Sequence, residues 1–201
     1  MEKDTDNSPD TRIEITMSGL KVNIYAIVLF IPVIFGFSGI YYMIWERGFF
    51  DLSKNLFQIK NLINLPLSDI NQTLVIGLFI LIIGVVLHEL LHGIVCAVYG
   101  KKGFKSFEFG IIWKALAPYA HCKEPLTVKA YRIVIIMPGL ILGVIPSLTG
   151  IILGNDLMTL YGMIFTGVAG GDIIIFWKLR KLESGNLVQD LPDKIGCYIV
   201  E

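Results

Sequence analysis

From Leu74 to Tyr99 the chain is apolar except where His88, Glu89 and His92 interrupt it. A helix of that length crosses a bilayer. Ionisable groups inside such a span are costly unless they pair with one another, bind an ion or line a cavity. This run therefore constrains the fold more than any other feature: the chain needs a helix in lipid and also a reason for three ionisable side chains within it.

Three further runs share the apolar character. Val22–Ile44 carries no charge, Tyr131–Leu153 has Arg132 at its edge, and Leu157–Leu179 contains Asp172. Hydrophobic residues make up 54% of the 201 residues and the mean hydropathy is +0.68, more than a soluble domain of this length can hide. Disorder and a disulfide-stapled secreted module are excluded as the main description. The net charge is zero, so no overall field points to nucleic acid. Cys96, Cys122 and Cys197 are too few for a four-cysteine zinc site, and their scattered spacing implies no disulfide framework. Reduced, packed thiols are expected.

The expected fold class is an all-α membrane protein with four transmembrane helices and a short β-hairpin-like cytoplasmic loop between the second and third. Residues 1–21 form a polar, acidic tail with some order from Ile13, 22–182 the four-span unit, and 183–201 a cytoplasmic C-terminal tail. Pro138 should kink or break the third span. Basic residues concentrate in the tail, the second loop and the C-terminus, whereas the first loop holds only Arg47, Lys54 and Lys60 and the third none. That asymmetry places both termini in the cytoplasm. Phe49, Leu52, Leu56, Ile59 and Ile63 follow helical spacing and suit a short amphipathic helix along the membrane surface.

Leu87-His88-Glu89-Leu90-Leu91-His92-Gly93 is a His-Glu-x-x-His motif on a helix. Histidines four apart project from one face and can grip one zinc ion, while Glu89, offset around the helix, can reach a water beside the metal without ligating it. Chance supplies roughly 0.002 such matches per shuffled chain of this composition. A catalytic zinc needs a third protein ligand and an open fourth position. The candidates are Asp172 and His121. At about 1.5 Å per residue, His88 lies about 21 Å from the start of its span, His92 about 27 Å and Asp172 about 23 Å from the start of its own, so the three share a level. Gly170-Gly171 before Asp172 permits close helix approach or unwinding. His121 is in a loop and is an alternative ligand or a group near substrate.

Phe107, Phe109 and Ile111 alternate with Glu108 and Gly110, which is strand periodicity, and Ala117–His121 is the expected return strand. The edge of such a hairpin can take up an extended peptide as a further strand. Thr127 is the expected N-cap of the next helix.

With His88-Glu89-Leu90-Leu91-His92-Gly93, the loop Ala120-His121-Cys122-Lys123-Glu124-Pro125, Met137-Pro138-Gly139 and Gly171-Asp172-Ile173, the chain resembles the putative zincin peptidases, small multi-span bacterial and archaeal membrane proteins. The ending, from Leu187-Val188-Gln189-Asp190 to Ile195-Gly196-Cys197, shares the likeness, which covers roughly residue 70 onward. In layout the chain is similar to the site-2 protease group of intramembrane zinc metalloproteases. The resemblance implies His88, His92 and Asp172 as zinc ligands and Glu89 as the catalytic acid/base. Thr166–Gly171 departs from that group in lacking an Asn-Pro before the Asp.

The expected function is that of an integral membrane zinc metallopeptidase acting on a membrane-spanning or membrane-adjacent peptide, with the lipid bilayer as its surroundings and no nucleic-acid partner. The oligomeric state is left open, a homo-oligomer included. Two rival readings are a four-span metal transporter and a catalytically silent membrane adaptor that retains the motif. Zinc permeases with a similar stretch carry Pro within it and a second Glu after it, where this chain has Leu91 and Gly93.

Overall fold

Long apolar runs form the helices that the sequence predicts. The structure, a computed structural model, describes residues 13–46, 69–112, 117–191 and 195–200. Helix α1 (Gly19–Trp45) and helix α2 (Asp69–Tyr99) are the two long rods. Ile27, Phe35, Leu78 and Phe79 stand fully outward on them. Such faces would be unstable in water and are at home against acyl chains, where every backbone polar group is satisfied within the helix. The surface segment expected around Phe49–Ile63 lies outside the described residues.

The third apolar run spans Val128–Leu153 but is not a uniform α-helix. Thr127 caps α3 (Val128–Pro138), its Oγ1 accepting from the Ala130 N–H at 3.2 Å. Pro138 removes a ladder donor, and the chain then takes a π-helical turn over Gly139–Val144 before α4 (Ile145–Leu153) resumes. The expected interruption at Pro138 is thus a widened turn within one rod.

The fourth run is bent rather than straight. Helices α5 (Asp156–Val168) and α6 (Gly170–Leu179) meet at Ala169 with an angle of 49°. Three helices are long and apolar enough to cross a membrane, and this bent pair passes the same test as one unit. The chain is therefore an integral membrane protein by length and composition of its helices. Helix α1 packs along the bent pair. A Cβ at Gly170 would press on the Ala26 side chain at 2.8 Å, so glycine is needed for that approach. Deeper in this pack, the Tyr41 hydroxyl donates to the buried Asp156 carboxylate.

Strands modify the all-α expectation. The chain is mostly helical, yet two antiparallel sheets sit beside the helices. Strands β2 (Phe107–Ile112) and β3 (Ala117–Cys122) pair from Phe107 opposite Cys122 to Ile112 opposite Ala117. The second sheet, in the order β1-β6-β5-β4, joins β1 (Glu14–Met17), β6 (Ile195–Val200), β5 (Leu187–Asp190) and β4 (Leu126–Thr127). These strands are short and come from both tails and from the segment just before α3. No alternation long enough to signal them exists in the sequence, and pairing across the whole chain supplies what local pattern does not. The main apolar cluster lies where the helices meet this sheet, around Tyr131, Val134, Ile175, Leu179, Val188 and Cys197.

The cysteine reading is corrected. Cys96, at the end of α2, forms a disulfide with Cys122, at the end of β3. Proximity created by the fold, 26 residues apart in sequence, decides this pairing, and spacing alone cannot reveal it. Cys197 remains free and buried, and its thiol is pushed up to about 12, first by burial and then by the neighbouring Asp190 carboxylate. Alkylation of the folded, non-reduced protein should therefore label no cysteine, since the thiolate is the reactive form. Replacing Cys96 and Cys122 together by Ala should cost about 3 kcal/mol of stability, seen as a lower Tm in detergent. An unchanged Tm, or labelling of Cys96 before reduction, would contradict the bond.

Candidate metal centre

Four helical residues per turn-and-a-bit put His88 and His92 on one face of α2, with ring centroids 4.9 Å apart. Opposite them, the break at Ala169 starts a new helix, and Asp172 falls in its first turn. Asp172 Oδ2 lies 3.0 Å from His88 Nε2 and 3.5 Å from His92 Nε2. One ligand atom from each of the three lies within 4.8 Å of the other two. The group is drawn from two chain segments 84 residues apart.

The surroundings fix these side chains. His92 Nδ1 sits 2.9 Å from the Val134 carbonyl, so Nδ1 carries a proton and donates, and Nε2 is the nitrogen that faces Asp172. That carbonyl is available for a local reason. In an α-helix, Val134 would accept from the N–H four residues on, and that residue is Pro138. The proline thus converts a helix carbonyl into an acceptor for the histidine. His88 is buried at 4% exposure, and its Nδ1 has no hydrogen-bond partner among the described residues. Gly93, the residue after the motif, lets the Phe107 ring lie on the helix; a Cβ there would come within 2.6 Å of it.

Glu89 turns away from the two imidazoles toward the hairpin. Its Oε2 accepts the Ala120 N–H at 2.8 Å. Strand β3 therefore carries the carboxylate's support on its backbone, at the edge not paired with β2. Glu89, His92, Asp172, His121, Tyr119 and Asp190 are among the residues lining a cavity of about 400 Å³. Arg132 does not pair with Asp172; its guanidinium donates to the Leu179 and Leu182 carbonyls at 2.5 and 3.1 Å, closing the end of α6.

The structure brings together His88, His92 and Asp172, places Glu89 on the same cavity, and leaves His121 outside the three-residue group. His121 lies instead against Asp190, with Nδ1 3.4 Å from Oδ2. Sequence reasoning missed Asp190 and Tyr131 as cavity residues, because they sit on a tail and on a span face that only the second sheet brings inward. The Val134 carbonyl was findable, since a proline four residues on marks it. Two imidazoles and a carboxylate are a donor set that suits zinc, with one coordination position left for another ligand.

Residues 81–187, more than half of the chain, match the model of the putative zincin peptidase family, and the chain belongs to that family. No curated protein and no solved structure gives a significant match. Membership implies zinc, and the three-residue group is where the described residues could hold it.

Two outcomes test this centre. Purified protein carrying Asp172→Ala should lose bound zinc, while His121→Ala keeps it; elemental analysis reads both, and the reverse pattern would reassign the third ligand. Pro138→Ala restores a ladder donor that competes for the Val134 carbonyl. It should weaken zinc about 10-fold, the lower end of what outer-shell partners contribute, in a chelator competition titration.

Proposed function

We propose that this member of the zincin family is an integral membrane, zinc-dependent metallopeptidase that hydrolyses a peptide bond in or near the bilayer. The observation that carries this reading is the convergence of His88, His92 and Asp172 on one point with Glu89 on the same cavity. The proposed ligands are those three, and the proposed general base is Glu89. Zinc bound there would supply a Lewis acid for the substrate carbonyl and lower the pKa of water.

The chain's own residues do the rest. Glu89 takes a proton from the attacking water and later delivers it to the departing amine. The Ala120 N–H holds its carboxylate in one orientation throughout, so little reorganisation accompanies the transfer. His92 is kept in the tautomer that presents Nε2 by the Val134 carbonyl. The apolar walls, Val134, Ile135 and Ile175 among them, exclude bulk water and strengthen each of these interactions. Among the cavity's walls is β3, and Tyr119, Ala120 and His121 on it border the space an extended substrate would enter.

The proposed topology has four spans, counting the bent pair α5 and α6 as one, with both termini in the cytoplasm as the basic residues argue. Cleavage then occurs near the cytoplasmic face. With that end in the cytoplasm, the Cys96–Cys122 bond faces thiol reductants. Burial of both cysteines, at 1% and 4% exposure, is what shields it.

Glu89→Gln preserves the shape and the zinc but not the base. Its cleavage of a quenched-fluorescent transmembrane peptide in detergent should fall at least about 100-fold at unchanged zinc content. Turnover equal to wild type would remove Glu89 from the mechanism. Zinc uptake into proteoliposomes without any cleavage would favour the transporter reading instead.

A further inference from the structure

The cavity contains a second polar group that the zinc centre does not use. Asp190, on β5, and His121, on β3, both line it, and neither belongs to the three-residue metal group. We infer that His121 meets the carbonyl oxygen of the bound peptide, and that Asp190 is the positioning residue that aims it. The inference rests on the peptidase reading above and adds to it a group for the oxygen that becomes negative.

Three observations carry it. First, Asp190 is a carboxylate held from several sides. Its Oδ1 accepts from the Tyr131 hydroxyl at 3.0 Å and its Oδ2 from the Cys122 N–H at 3.3 Å. An acid fixed by a tyrosine and a backbone amide makes a rigid support for a third donor. Second, that third donor is present but not engaged. His121 Nδ1 lies 3.4 Å from Asp190 Oδ2, at ion-pair distance, yet is a buried atom with no aligned hydrogen bond among the described residues. Catalytic hydrogen bonds are often long without substrate and tighten when it binds. The other charged group near His121, its cross-strand neighbour Glu108, is engaged by Lys123 at 2.7 Å, which holds its carboxyl below the usual range. Third, His121 follows Ala120, whose N–H supports Glu89. One strand thus sets the spacing between the proposed base and the imidazole, about 3.3 Å of rise apart.

The step follows from this placement. The oxygen of the attacking water forms a bond to the carbonyl carbon, its proton passing to Glu89, and the C=O π pair moves onto the carbonyl oxygen. His121 in its doubly protonated form has two donors, Nδ1–H for Asp190 and Nε2–H for that oxygen. When the pair returns to re-form C=O, the C–N bond breaks and the amine nitrogen takes the proton from Glu89. His121 gives up no proton and ends the cycle as it began. Donors aimed where charge develops are among the largest contributions to acyl transfer.

The test compares two probes on the full-length, zinc-loaded chain in detergent micelles by calorimetry. An N-phosphoryl dipeptide presents tetrahedral, anionic oxygens, whereas a peptide hydroxamate chelates through a planar group. His121→Gln and Asp190→Asn should each weaken the phosphoryl dipeptide about 10- to 100-fold while leaving the hydroxamate within about threefold, the difference being a hydrogen bond to a charged group. Asp190→Glu should recover part of the loss. Zinc content should stay at the wild-type level in all three. Equal weakening of both probes, loss of zinc, or no weakening of either overturns the inference while the peptidase reading stands. A wild-type chain that holds no zinc and binds neither probe overturns the peptidase reading, and the inference with it.

Discussion

Lipid offers no hydrogen bonds, and the polar side chains of this protein are arranged around that fact. An imidazole or carboxylate inside a span must find its partner in the protein or draw in an ion. Asp172 faces both His88 and His92, His92 leans on the Val134 carbonyl, and Glu89 on the Ala120 amide. Asp156 does the same for Tyr41 in the far part of the helix pack. His88 Nδ1, like His121 Nδ1, is buried with no hydrogen-bond partner among the described residues.

Irregular backbone appears where those partners are made. The π-helical turn follows Pro138, and the 49° bend precedes Asp172 by three residues. Both are breaks that a regular apolar helix would not need. Non-helical backbone at membrane depth is tolerated where it is buried in protein or lines a cavity, and these two breaks border the same group of side chains. The missing amide of Pro138 is put to use as a freed carbonyl. The break at Ala169 lets a short carboxylate reach across to α2.

How much of this was legible follows from how local each signal is. His88, Glu89 and His92 are written within five residues, and helical geometry does the rest. Asp172 was legible through depth, because rise per residue puts it level with the histidines. The hairpin strand Phe107–Ile112 showed in alternation. By contrast, the Cys96–Cys122 bond, the Asp190 carboxylate and the sheet of β1, β6, β5 and β4 depend on segments far apart in sequence, and no short window carries them. The bend in the fourth run was hinted at by Gly170-Gly171, while the close approach of α1 to it shows only in the packed structure.

One pairing in that sheet sets an order of events. Glu14 sits opposite Tyr198, so β1 waits for a strand far downstream of it. Until β6 emerges from the ribosome, β5 has a strand partner only in the two-residue β4. The helices and the three-residue group all lie upstream of that strand. Contacts of such long sequence separation form slowly. The sheet thus closes late, joining both flanks of the helical part into one wall.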